Sequence, residues 1–172
     1  MVRENVKLRD LNLSVPARDE RELEVLASGL PCRGAAQIAI DVTLRSVLTS
    51  EGEPHPRTAA TDAVVANAAR QDKERKYPEF FESHRCVLVV LALELGGRWS
   101  NEAYSFIEEL AWAKSREAPP PVRKSARLSW QRRWVRMLSC RAARAWSGSL
   151  VAPTGAPLSP MAEHPVPDWH EV

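Results

Sequence analysis

The sequence predicts an α/β fold: a small mixed sheet that starts as a β-meander, with helices packed on it, in the order βββαβαα. Three observations carry this expectation. Two short apolar runs, QIAIDVTL over 37–44 and CVLVVLALEL over 86–95, are rich in branched residues and bounded by turn signals. Alanine- and charge-rich stretches with helical character follow each of them. Two shorter apolar segments precede the first run, joined by connections short enough for an antiparallel meander.

The opening, MVRENVKLRDLNL, alternates Val6, Leu8, Leu11 and Leu13 with polar residues, slips at Asp10, and predicts a strand that Pro16 ends. Leu23 to Ala27 predicts a second strand or a turn of helix, with Glu24 inside it. Ser28, Gly29 and Pro31 break the chain before the run around Asp41. That run is too short for a stable helix, and its near-continuous apolarity suits a buried strand. Asp41 is the oddity in it. A buried carboxylate has to be paired, hydrogen-bonded or metal-bound. One reading has it satisfied by a neighbouring arginine or by backbone amides; the other makes it a metal-binding acid.

Gly52, Pro54 and Pro56 mark the next stretch as a loop. A helix capped by Thr58 or Thr61 and running to about Lys76 is expected after it, with Val64, Val65, Ala68 and Ala69 as its apolar face. Pro78 ends it. Lys73 and Tyr77 are four apart and share a face. Read as an exposed helical residue, Lys73 is replaceable by Ala within about 0.5 kcal/mol. The second apolar run has no polar residue from Val87 to Leu93, so both of its faces are expected to be covered. Glu94 stands at its end, Gly96 and Gly97 make a turn, and Trp99 precedes Ser100, a good N-cap for a helix from Glu102 to about Glu117. Tyr104, Ile107, Leu110 and Ala111 are its expected inner side.

The expected organisation is a core over 1–117, a basic amphipathic helix over 118–151, and a disordered proline-rich tail over 152–172. Between Val122 and Leu150, Arg123, Lys124, Arg127, Arg132, Arg133, Arg136, Arg141 and Arg144 are offset by no acid. Trp130, Trp134, Met137, Leu138 and Ala145 recur there at helical spacing. Either this stripe packs on the sheet and the arginines are a solvated face, or Arg127, Arg132, Arg133 and Arg136 contact nucleic-acid phosphates. The three cysteines, Cys32, Cys86 and Cys140, have no zinc spacing and are expected to be free thiols in a reducing compartment. No stretch of about 18 apolar residues predicts a membrane span. There is no phosphate-loop, dinucleotide or nucleophile-elbow motif, so no small-molecule cofactor is expected. What remains is a set of strand acids, Glu24 and Asp41, and one helical lysine, Lys73. Two carboxylates suffice for a magnesium ion that keeps several waters, and a lysine beside it can neutralise charge on an attacked phosphate.

Several strings carry a resemblance. They are NVKLRDLNL; Glu24-Val25 ahead of Gly29-Leu30-Pro31; GAAQIAIDVTLRS; KERKYPE; and LVVLALELGGRWS. Together, over about Asn5 to Leu150, they resemble the region downstream of reverse transcriptase in some eukaryotic non-LTR-type retroelement-derived open reading frames. Asp41-Val42-Thr43 and Gly96 to Ser100 are the most specific parts. That region is in turn distantly similar to restriction-endonuclease-like PD-(D/E)xK nucleases, whose core order is αβββαβ with acids on the second and third strands. The resemblance implies Glu24 and Asp41 as metal-binding acids and Lys73 as a catalytic assistant. It matches Lys73 and Tyr77 to a helix motif carried elsewhere as Gln and Tyr. Thr43 stands where the family's lysine is expected, and the family's first helix is not visible here. The implied function is a magnesium-dependent DNA endonuclease-like domain, intact or decayed, in an intracellular and, for a DNA-acting domain, nuclear location. A non-catalytic nucleic-acid-binding remnant and a purely structural fragment are the alternatives, and the oligomeric state is open.

Overall fold

The three N-terminal segments form the expected meander. In a computed structural model, which describes residues 1–11, 13–35, 37–82 and 85–151, β1 (Val2–Lys7) pairs antiparallel with β2 (Glu22–Ala27), and β2 pairs antiparallel with β3 (Gln37–Arg45). β3 is parallel to β4 (Cys86–Glu94), and the sheet runs in the order β1-β2-β3-β4. A parallel neighbour needs a crossover connection, and α1 (Val64–Lys76) supplies it. A one-turn helix, α2 (Glu79–Glu82), was not visible in the sequence pattern. α3 (Asn101–Ser115) and α4 (Arg123–Val151) complete the order. Among the described residues no helix is long and apolar enough to cross a membrane. The expected proline-rich tail over 152–172 lies outside the described residues.

Alternation along β3 and β4 creates two cores. Ala39, Leu88, Val90 and Ala92 face Ala66, Ala69, Tyr77 and Phe80. Ile38, Val89, Leu91 and Leu93 face Ala103 and Phe106 of α3, with Val135, Leu138 and Ala142 of α4 closing the outside. Both faces of β4 are thus covered, as its unbroken apolarity requires.

Four expectations are corrected. The first strand stops at Lys7, and a 3-10 turn over Leu8–Asp10 lets Leu8 and Leu11 both turn inward. α1 begins at Val64 rather than near Thr58 or Thr61. Ala63 takes the left-handed φ of +56° before it, and no side chain caps it from within the loop. Its buried face is Val65, Ala66 and Ala69, while Ala68 is exposed. The reason is phase: Ala66, Ala69, Lys73 and Tyr77 fall on one helical line, and that line lies over the sheet. In α3 the inner residues are Ala103, Phe106, Ile107 and Ala111, and Tyr104 points outward. Ser100 does cap this helix, its hydroxyl accepting from Ala103 N at 3.2 Å.

α4 does not lay its tryptophans on the sheet, because α3 lies between. Trp130 and Trp134 are half-buried with ring centroids 5.4 Å apart, and Met137 and Ala145 are exposed. At 1.5 Å per residue α4 is roughly 44 Å long and α3 roughly 22 Å. Beyond Ala142 the described side chains of α4 are therefore solvent-exposed.

Candidate active site

Asp41 sits in the middle of β3 and is 2 % exposed. Its neighbours are neither an arginine nor backbone amides. The single hydroxyl proton of Tyr77 is shared between Asp41 Oδ1, 3.2 Å from Oη, and the Glu22 carbonyl, 3.0 Å away. Lys73 Nζ lies 2.5 Å from Oδ2, an atom with no other hydrogen-bond partner. Lysine and tyrosine arrive together because they are one helical turn apart on the face of α1 that covers the sheet. Arg21 fixes that end of the helix: it holds the Lys76 carbonyl, pairs with Asp19 and Glu79, and places its guanidinium 5.9 Å from the Tyr77 ring.

Glu24 faces the same place from β2. The pairing of β2 with β3 ends at Val25–Ile40, so Glu24 and Asp41 stand opposite one another where the strands part. There the Glu24 carboxylate accepts the Val42 N–H at 2.9 Å, serving an amide that the ladder leaves without a strand partner. Burial, and then the Asp41 charge, push the Glu24 carboxyl above its ordinary value, against the pull of the Val42 amide and of Lys73 and Lys76. Burial first, and next the charge of Asp41, push the Tyr77 hydroxyl up to about 12, so it remains a donor at any physiological pH. Thr43 lies two residues beyond Asp41 on the same side of β3, half-buried.

Glu24, Asp41, Lys73 and Tyr77 are therefore brought together; the other expected residues have different neighbours. Glu94 is buried at the end of β4 and accepts from Ala66 N at 3.4 Å, supplying the N-terminal cap that α1 lacks in its own sequence. Trp99 is buried on the α3 side, its indole donating to Ser139 Oγ of α4 at 2.9 Å. Arg127 is engaged by Glu108 of α3, which weakens its expected part in phosphate contact. Arg132, Arg133 and Arg136 are exposed on α4, with Arg133 also 5.2 Å from the Trp130 ring. This helix packs behind α3, on the opposite side of the sheet from Asp41.

Two features of the acidic pair suit a divalent cation. Asp41 Oδ2 is a buried oxygen answered only by the Lys73 ammonium group, and Glu24 is raised first by burial and then by the Asp41 charge, a repulsion that a shared cation relieves. Among the described residues no cluster of three or more Asp, Glu, His or Cys has a metal-holding arrangement. Two carboxylates, with water and phosphate filling the other positions, is the usual protein share in a magnesium site. Neither a protein-family model, nor a curated protein, nor a solved structure matches the chain.

Proposed function

We propose that the chain is an endonuclease-like domain of retroelement origin, restriction-endonuclease-like in fold, that acts on DNA at a centre formed by Asp41, Glu24 and Lys73. The observation that carries this reading is the convergence on one buried strand acid of a lysine and a tyrosine from the crossover helix and a second acid from the adjoining strand. The strand order, with β4 parallel to β3 through a crossover helix, supports the fold half of the proposal. Magnesium held by Glu24 and Asp41 would supply a polarised phosphate and an activated water. Lys73 would exchange its contact with Oδ2 for one with a phosphate oxygen, keeping its charge partnered throughout. Tyr77 would hold Asp41 in place from the other oxygen. Glu24 would keep one oxygen on Val42 N and orient the other toward the shared cation.

The test is nicking of supercoiled plasmid with manganese, comparing wild type with Asp41→Asn, Lys73→Ala and Thr43→Lys. Wild type is expected to nick faster than Asp41→Asn; equal rates would reject the nuclease reading on this substrate. Lys73→Ala needs a folding control. Lys73 is only 15 % exposed and its partner is buried, so the small cost expected of an exposed helical lysine does not apply. Removing one member of such a pair costs about 3–5 kcal/mol. Magnesium at 100 times its dissociation constant should stabilise the folded chain by about 2.7 kcal/mol, and Asp41→Asn should abolish the effect.

A second reading, a nucleic-acid-binding remnant without catalysis, is favoured by one observation: protein groups already occupy both oxygens of Asp41. It expects plasmid binding without nicking, and nicking by Thr43→Lys alone if only the lysine has been lost.

A further inference from the structure

We propose that the junction of α3 and α4 is a separate site for single-stranded nucleic acid, with Trp112 as a stacking platform and Arg116, Arg123 and Lys124 holding the phosphates. It lies on the α3 side of the sheet and does not rest on the reading of Asp41. Trp112 follows the fully buried Ala111, yet it is 48 % exposed, the most exposed tryptophan among the described residues. It borders a hollow of about 410 Å³ whose other lining residues are Ser115, these three cations and Arg127, whose charge is answered by Glu108 from the adjoining hollow. That volume falls in the range of roughly 300–1,000 Å³ that suits a small organic group such as one nucleotide.

The cations are pre-positioned. Pro119, Pro120 and Pro121 stiffen the connection between the helices, and Val122 N closes a turn on Pro119 O at 3.0 Å. Arg123 is tied back to the Ala118 carbonyl at 3.1 Å, and Arg127 is braced by Glu108. Arg116 lies over one face of the Trp112 ring, its guanidinium 5.2 Å from the centroid, so a base would stack on the opposite face or in place of the guanidinium. An exposed indole beside Arg116, Arg123 and Lys124 fits a ligand that offers both a flat π-face and phosphates. Duplex DNA buries its base faces within the stack, so the strand has to be single. An acidic peptide would engage the cations and make no use of the indole.

The experiment is fluorescence anisotropy on the full chain with a labelled oligothymidylate, an abasic strand of equal length, a blunt duplex, and polyglutamate as competitor. Oligothymidylate should bind about tenfold more tightly than the abasic strand, the scale of one stacked base. Trp112→Ala should lose that factor on oligothymidylate and nothing on the abasic strand. Arg123→Gln with Lys124→Gln should reduce the slope of log affinity on log salt by about 1.4, or about 0.7 for each single-strand phosphate contact. Circular dichroism checks folding, and the wild-type comparison of the two strands stands even if Trp112→Ala does not fold. Equal affinity for the two strands overturns the proposal, as does a Trp112→Ala variant that folds and binds as wild type. Displacement by polyglutamate at matched charge would make the site one for acidic polypeptides instead.

Discussion

Asp41 has one oxygen on Tyr77 and the other on Lys73, so the residue most conspicuous in the sequence is also the most enclosed polar group of the sheet. Tyr77→Phe keeps the ring packing but strips the donor from Asp41 Oδ1 and from the Glu22 carbonyl. Leaving such buried acceptors unanswered costs about 1–3 kcal/mol. Urea denaturation should show a lower midpoint with an unchanged slope; an unshifted midpoint would mean that these bonds contribute nothing net. Glu24 gives a pH test. Its folded carboxyl is raised above the unfolded value, so the folded state is favoured most while Glu24 is protonated, below its unfolded pKa. That advantage is lost as pH rises through the raised folded value. Glu24→Gln retains an acceptor for Val42 N and cannot ionise. Measured from about pH 4 upward, its stability should exceed wild type increasingly as wild-type Glu24 ionises, and magnesium should narrow the gap. A gap that does not change with pH would remove Glu24 from the charged centre. The sequence made Asp41, Lys73 and Tyr77 legible because an acid in an apolar strand and a four-residue helical spacing are local signals. The use of Glu24 by Val42 N and of Glu94 by α1 was not legible, because each depends on where a strand ends in three dimensions.

At the scale of elements, β4 is an edge strand whose outer backbone groups are covered. Arg70 of α1 donates to the Leu88 carbonyl at 3.0 Å and pairs with Glu102 of α3 at 2.7 Å, and the Glu102 carboxylate accepts the Val90 N–H. Further along, Ser100 N donates to Ala92 O at 2.9 Å and Glu94 N donates to Arg98 O at 2.8 Å. Side chains of α1 and α3, and then the backbone of the segment that follows β4, thus close an edge that would otherwise invite another strand. Burial raises the Glu102 carboxyl, with Arg70 opposing it. Arg70→Ala should therefore lower the melting temperature and make the chain associate with increasing concentration, read by light scattering; a variant that stays monodisperse would show that the edge needs no guard. The strands were readable because apolar runs of this length dominate local preference. The helix starts and inner faces were read less well. The alanines of α1 fit either of two adjacent stripes, and only the position of Lys73 and Tyr77 over Asp41 selects one.

The molecule as a whole segregates charge. The eight arginines and lysines of α4 share that helix with no acid, leaving sixteen Lys and Arg against 22 Asp and Glu elsewhere in the chain, an asymmetry hidden in a net charge of +2. The sequence displayed this asymmetry but not its geometry: the position of α4 behind α3 depends on Trp99, Val135, Leu138 and Ala142 meeting across long separations. Consequently the acidic centre and the arginine-bearing helix lie on opposite sides of the sheet, each against a different core. Sites so separated should behave independently, their mutational effects adding within about 0.3–0.5 kcal/mol. Arg132→Gln with Arg136→Gln should flatten the salt dependence of duplex DNA binding by about 1.8, at about 0.9 per duplex phosphate contact, while leaving the magnesium-dependent rise in melting temperature intact. Asp41→Asn should do the reverse. The measurement is a four-way comparison of wild type, the arginine variant, Asp41→Asn and their combination, each titrated with magnesium and with DNA at several salt concentrations. If the arginine changes abolish the magnesium response, the two sides of the sheet are energetically coupled. If they leave the salt slope unchanged, α4 is a solvated face and the chain holds DNA elsewhere.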